Sequence, residues 1–238
     1  MATPLVSALI VTRRPAFVAG AVAMMRAQAY PRVEVVVILH GVRPSDLPLE
    51  GRDALTGADY VLEVPASVPL GNCMNIATAA SRGEVLAKID DDDLYGPAYF
   101  EEAVASLRAG KGPVIGKTEF YVYLERQREL LLWRPGTSKL DQPELAGGTL
   151  LYPRQLGLNP GYRAIPCTID HYFLEDCEAL GHRSSATSRS SYVLRRMAVT
   201  GHHTWQVPDD YFLHEAIVVR RNLADDSPAA LLRLVGGV

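Results

Sequence analysis

The sequence predicts an α/β protein: a doubly wound, mostly parallel central sheet flanked by helices, joined to a half of mixed structure. Three observations carry this. Leu5 to Val11, Val33 to Leu39, Tyr60 to Val64 and Val85 to Ile89 are short, nearly continuous apolar runs, the composition of strands covered on both faces. Helix-periodic stretches alternate with them, the βα order that builds a parallel sheet. Four aspartates, Asp90 to Asp93, follow the fourth run directly, at the carboxyl edge where open α/β sheets bind ligands.

The elements follow in order. After the first strand, Pro15 sits where a first helical turn accepts proline, opening Ala16 to Gln28. Leu70 to Ser81 carries Leu70, Met74, Ala77 and Ala80 at helical spacing, with Gly83 as its stop. Pro97 opens a helix whose stripe holds Phe100, Val104 and Leu107 and which ends at Gly110. The second half is less regular. Thr118 to Leu124 alternates like a half-exposed strand, residues 135–148 form a Pro/Gly-rich loop, and Gly148 to Tyr152 reads as a short strand. Ile169 to Leu180 is an amphipathic helix closed by Gly181, and Tyr192 to Arg196 is strand-like. The economical division is a single domain over 1–238, with a ligand-binding half over 1–116 and a mixed half over 117–238.

The 238 residues are 48% hydrophobic and 21% charged, enough to bury roughly 70% of the unfolded surface without disulfides or a structural metal. Cys73, Cys167 and Cys177 are odd in number and form no C-x-x-C pair, which points to a reducing compartment. A net charge of −3 with dispersed arginines argues against nucleic acid. The start of the chain lacks the basic and apolar regions of a signal peptide, and no run nears the ~20 apolar residues of a membrane span. The expectation is a cytoplasmic enzyme. Ala229 to Val235 reads as a short apolar helix, packed on the domain or laid against the inner membrane face.

In extended backbone Asp90 and Asp92 would share a face and Asp91 point back. Two same-side carboxylates make an oxygen site for hard Mg²⁺ or Mn²⁺, whose charge relieves their repulsion. The plainer alternative is a solvated loop with Asp93 capping the next helix. An EF-hand is excluded because its glycine position holds Tyr95.

In this setting the sequence resembles the family 2 glycosyltransferases, inverting enzymes of the GT-A fold, through nearly its whole length. Val6 to Pro15 resembles the opening strand and nucleotide loop, and Gln28-Ala29-Tyr30-Pro31 with Glu34 to Val37 the helix end and second strand. Gly71 to Ala77 and Ala80 to Glu84 lead into Lys88-Ile89-Asp90-Asp91-Asp92-Asp93, similar to the D-x-D metal motif. Gly147-Gly148-Thr149-Leu150 resembles the segment under the acceptor, Ile169 to Phe173 the start of the catalytic-base helix, and His203-Thr204-Trp205 the late metal or phosphate segment. One departure stands out: the second strand commonly ends in an acidic residue that holds the nucleoside, whereas here it ends Leu39-His40-Gly41.

The resemblance implies a nucleoside-diphosphate sugar donor and Mn²⁺ or Mg²⁺ as cofactor. The ion would be bound by Asp92 with Asp90 or Asp93 assisting, and His203 completing the shell unless His202 does so. It implies donor contacts from Thr12, Arg13, Arg14, His40, Asn75, Arg82, Lys88, Asp90, Asp91 and Arg196, and acceptor contacts from Gly148, Thr149 and Trp205. Asp170 is the candidate base, since an inverting transfer needs a carboxylate near the acceptor hydroxyl. It lies in line with Leu174 and Cys177 on the stripe of Phe173, Leu174, Cys177 and Leu180, and so points inward, whereas Glu175, Asp176 and Glu178 face solvent. An N-cap role for Asp170 stays open beside it. Either Arg195 or Arg196 would fork onto phosphate and the other face solvent.

Other classes fit less well. A sugar nucleotidyltransferase would carry a Gly-rich, lysine-bearing loop after the first strand, and a dinucleotide oxidoreductase a G-x-G-x-x-G; Thr12-Arg13-Arg14-Pro15 is neither. A non-catalytic binding module would dispense with the aspartates. Saccharide, lipid-linked and natural-product acceptors are all open, as is a homodimer.

Overall fold

The computed structural model describes residues 2–139, 144–199 and 207–236. The chain runs β1 (Val6–Thr12), α1 (Val18–Arg26), β2 (Val33–His40), α2 (Leu49–Leu55), β3 (Tyr60–Val64), α3 (Leu70–Ala80), β4 (Val85–Ile89), β5 (Leu94–Tyr95), α4 (Tyr99–Arg108) and β6 (Val114–Gly116). It continues through β7 (Phe120–Leu124), β8 (Glu129–Trp133), β9 (Leu151–Pro153), α5 (Arg154–Leu158), α6 (Ile169–Ala179), β10 (Ser184–Ala186), β11 (Tyr192–Arg196), α7 (Asp210–Leu213), β12 (Ala216–Arg220) and α8 (Pro228–Leu234).

Seven strands form the main sheet in the order β10-β6-β9-β4-β1-β2-β3. β4, β1, β2 and β3 are mutually parallel, and β9 is antiparallel to both neighbours. The strand order reverses between β1 and β4, so their carboxyl ends open a crevice at the switch point. A second sheet, β12-β8-β7-β11-β5, packs beside the first. The expected halves interleave: β9 and β10 complete the main sheet, β5 pairs in the second, and one buried cluster joins Ile10 and Val37 to Phe120, Trp133 and Phe212.

Three of the four apolar runs, β1, β2 and β4, are buried on both faces as expected, whereas β3 is the sheet's edge strand, with Val61 exposed. Four further local expectations change. The strand read as half-exposed over Thr118 to Leu124 is β7, buried nearly throughout because it is an inner strand of the second sheet. Pro15 opens a short 3-10 turn before α1 rather than an α-helix. Gly147–Thr149 is a 3-10 turn rather than strand, because its backbone bends under the acidic cluster. Leu180, placed on the buried stripe, is 52% exposed beyond the end of α6. Gly110 and Gly181 end their helices at φ +67° and +83°, the left-handed region that glycine enters without strain. The apolar face of α8, Leu231 and Leu232, is buried against Leu94, Tyr123 and Val193, the packed form of the two sequence readings. Among the described residues no helix is long and apolar enough to cross a membrane.

Candidate active site

The aspartates leave β4 in a turn rather than an extended strand, with Asp93 N donating to Asp90 O at 3.5 Å. This overturns the expected alternation: a turn pairs first with fourth residue and second with third. Asp91 and Asp92 both face the loop after β1. The Thr12 hydroxyl donates to Asp91 Oδ2, and Arg14 forks onto Asp91 through Nη2 and Nε. Arg14 Nη1 reaches Asp92 Oδ2 at 2.7 Å. Burial raises the Asp91 pKa, with Asp92 repulsion adding and Arg14 opposing. Burial works against the Arg14 charge, yet its bonds to Asp91 and the two carboxylate charges outweigh it and the net shift is upward.

Asp90 and Asp93 turn the other way, onto the 3-10 turn. A Cβ on Gly148 would lie 2.7 Å from Asp90 Oδ2 and 3.0 Å from Asp93 Oδ2, and one on Gly147 would fall inside the Asp170 carboxylate. The two glycines thus let three carboxylates close on one backbone turn. That turn is pinned from below: Tyr95 Oη donates to Gly148 O at 2.6 Å, Tyr99 Oη to Thr149 O at 2.9 Å, and Thr149 Oγ1 to Ala146 O at 2.6 Å. Thr149 is buried beneath the site, and its hydroxyl also accepts from Lys117 N at 2.9 Å.

Lys88 Nζ sits between the carboxylates, 2.5 Å from Asp90 Oδ1 and 3.4 Å from Asp170 Oδ1. Although burial opposes its charge, Asp170 and Asp90 hold its pKa above the ordinary lysine value. Lys88 was expected to contact the donor; it is instead an internal cation that ties Asp170 to the aspartate turn. Asp170 is the second residue of α6, behind Thr168 at the N-cap position, so the capping alternative is set aside. Burial raises its pKa, Lys88 opposes and Asp90 adds. Oδ1 has no hydrogen bond among the described residues beyond that long ion pair.

Asp93 accepts from Tyr192 Oη at 2.6 Å and Arg195 N at 3.1 Å, which engages both its oxygens with protein donors. Burial, then repulsion from Asp92 and Asp90, drives its pKa well up. Arg13 donates from Nε to His40 Nδ1 at 3.2 Å and also to Ala66 O at 2.7 Å, so the end of β2 bears an arginine hydrogen-bonded to a histidine where the resemblance expects an acid. Burial, then Arg13, lowers the His40 pKa.

Three expected donor contacts lie elsewhere. Asn75 uses both ends of its amide on the Tyr162 backbone, each at 2.8 Å. Arg82 is at the opposite edge of the sheet: Glu34, buried at the start of β2, binds its Nε and N at 2.8 Å each and the Ser7 hydroxyl at 2.5 Å. A buried carboxylate requires such donors, which is why Arg82 stays there. Arg196 is buried under α7, donating to Val207 O at 2.5 Å with its guanidinium 5.5 Å from the Phe212 ring centre. His202, His203 and Trp205 lie outside the described residues. Sequence reasoning missed Tyr95, Tyr99 and Tyr192, whose hydroxyls hold the turn; no local pattern marks them.

Among the described residues no three His, Cys, Asp or Glu side chains converge as a metal cage. The donor chemistry still suits Mn²⁺ or Mg²⁺ arriving with phosphates, since such ions take one or two protein carboxylates and complete their shell from phosphate and water. Asp92 already carries a cation, the Arg14 guanidinium, at its oxygen.

No family model and no curated protein matches the sequence. Solved structures do. The mannosyltransferase PcManGT from Pyrobaculum calidifontis, in complex with GDP-Man and Mn²⁺, superposes with a TM-score of 0.62 at 15% identity, over 89% of this chain and 59% of that one. S. aureus TarS 1–349 in complex with UDP-GlcNAc gives 0.58 at 15% identity, over 88% and 64%. S. aureus TarS gives 0.58 at 17%, over 81% of this chain and 37% of that one. This chain therefore spans less than two thirds of the length of each. The architecture of the chain is the GT-A glycosyltransferase fold.

Proposed function

We propose that the chain is an inverting glycosyltransferase that moves a sugar from a nucleoside diphosphate to an acceptor hydroxyl. The observation that carries this reading is the convergence of Asp90, Lys88 and Asp170 over the Gly147-Gly148 turn, at the switch-point crevice. The donor diphosphate would lie between the ends of β1 and β4, bordered by Thr12, Arg13, Arg14 and His40. Asp92 would hold Mn²⁺ or Mg²⁺, with Asp90 or Asp93 assisting only after turning from the Gly147-Gly148 side, and His203 would complete the shell. When bound, the ion supplies positive charge where negative charge develops on the departing diphosphate.

Asp170 would take the acceptor proton as the new C–O bond forms. Its raised pKa makes it a stronger base than a surface carboxylate, and Lys88, 3.4 Å away, opposes that rise and orients the carboxylate. Trp205 would border the acceptor, a saccharide, lipid-linked or natural-product hydroxyl. The chain would act as one unit in the cytoplasm, with residues 1–116 serving the donor and 117–238 mainly the acceptor.

Calorimetric titration of UDP, GDP and dTDP, with and without Mn²⁺, tests this in the native chain and in Asp92→Ala. The solved neighbours bound to GDP-Man and UDP-GlcNAc make GDP and UDP the first probes. The expected result is Mn²⁺-dependent binding of one diphosphate, abolished in the variant. Binding of none in the presence of metal would leave a non-catalytic module as the better reading.

A further inference from the structure

We propose that Arg14 is a resident counter-cation of the donor site, held on Asp91 and Asp92 until a divalent ion takes Asp92 and then transferred to the donor's phosphate oxygens. This rests on the donor-site reading above and adds the order in which that site fills.

Arg14 leaves β1 in ordinary extended backbone, φ −116° and ψ 93°. Its guanidinium lies 5.1 Å from the Phe17 ring centre and its fork is divided between two carboxylates. The two carboxylates are not equivalent. Asp91 is also capped by the Thr12 hydroxyl and stays hydrogen-bonded when Arg14 moves. Asp92 Oδ2 accepts from Arg14 Nη1 at 2.7 Å.

A divalent ion on that oxygen, at the ~2.1 Å of a hard cation, would lie within about 5 Å of Nη1. Two positive charges at that distance in a partly buried crevice repel strongly. The ion alone therefore has to displace Arg14 and receives no return for it. A diphosphate brings oxygens onto which a planar fork can close bidentately, so ion and diphosphate each improve the binding of the other, as reciprocal coupling requires. Arginine in place of lysine suits this exchange, because its spread charge and five donors serve two successive anions.

Mn²⁺ binding to the full chain is measured by electron paramagnetic resonance of the free aquo ion, alone and with UDP or GDP. The native chain, Arg14→Gln, Arg14→Lys and Asp92→Asn are compared, with a melting temperature for each. Arg14→Gln is expected to bind Mn²⁺ alone several-fold more tightly than the native chain. Once loaded with Mn²⁺, it should bind the diphosphate roughly tenfold more weakly, the loss expected of one charge-assisted contact. Arg14→Lys should fall between, and it decides the matter if Arg14→Gln melts below the working temperature. An unchanged or weaker Mn²⁺ affinity in the folded Arg14 variant overturns the exchange while leaving the donor-site reading standing. Native-like Mn²⁺ binding by Asp92→Asn overturns the metal placement and the exchange together.

Discussion

Two buried lysines meet opposite electrostatic surroundings. Lys88 lies between two carboxylates and is held charged, whereas Lys117 Nζ has Ser188 O at 2.6 Å, Thr187 Oγ1 at 3.2 Å and Glu102 at only 3.5 Å. Burial pushes Lys117 down to about 8, against its ordinary 10.5, with Glu102 opposing. Between those values the unfolded chain binds the extra proton, so the stability cost is complete below about pH 8 and is relieved as pH rises towards 10.5. The shift corresponds to about 3 kcal/mol. Lys117→Met should therefore gain relative to the native chain at pH 7, and denaturant titrations should show that relative gain shrinking by about that amount towards pH 10.5. A difference that stays flat with pH would refute the depressed lysine. For Asp170→Asn, the proposed base role predicts a kcat loss of about 10²–10⁴-fold, with diphosphate affinity changed less than threefold or so. A loss confined to donor affinity would argue for a binding role instead.

At the scale of elements, the Gly147-Gly148 turn sets how closely Asp170 approaches the aspartate turn. Gly147 is not among the positive-φ residues, so its backbone accepts alanine and only the space is lacking. The added methyl meets the Asp170 carboxylate and pushes the candidate base away from the crevice. A displacement of about 1 Å costs on the order of 10²-fold in rate, and Gly147→Ala should show it in kcat while diphosphate binding persists. Native kcat in a folded Gly147→Ala would remove Asp170 from the reaction. The acidic turn shows the limit of local patterning. Its place after β4 was legible because a continuous apolar run ended there. Which carboxylates pair was not, because the turn is closed by Tyr95, Tyr192 and Arg14, each supplied by another element.

For the molecule as a whole, the second sheet shares the core of β1 and β2, and α8 closes over β5 and β11. Leu231 is fully buried with Leu94, Tyr123 and Val193, so Leu231→Ala should cost about 2–5 kcal/mol. The corresponding fall in melting temperature is the readout. A negligible change would mean that α8 is an appendage, and the membrane-facing reading of its apolar residues would regain ground.

The sequence by itself determined the four parallel strands β1 to β4, the position of the acidic cluster at a strand end and the helix that carries Asp170; β6 and β10 of the main sheet were not legible in it. Each of the legible features is written in short-range periodicity, which burial on one or both faces imposes on neighbouring residues. Only the tertiary structure decided that Lys88 bridges Asp90 and Asp170, that Arg82 serves Glu34 at the far edge, that Asn75 is committed to the Tyr162 backbone and that Arg14 is shared between Asp91 and Asp92. Strands β5, β8 and β12 of the second sheet also lay beyond local reading. Such partners are brought together across long stretches of chain, and which buried charge finds which counter-charge depends on packing geometry that no local pattern encodes.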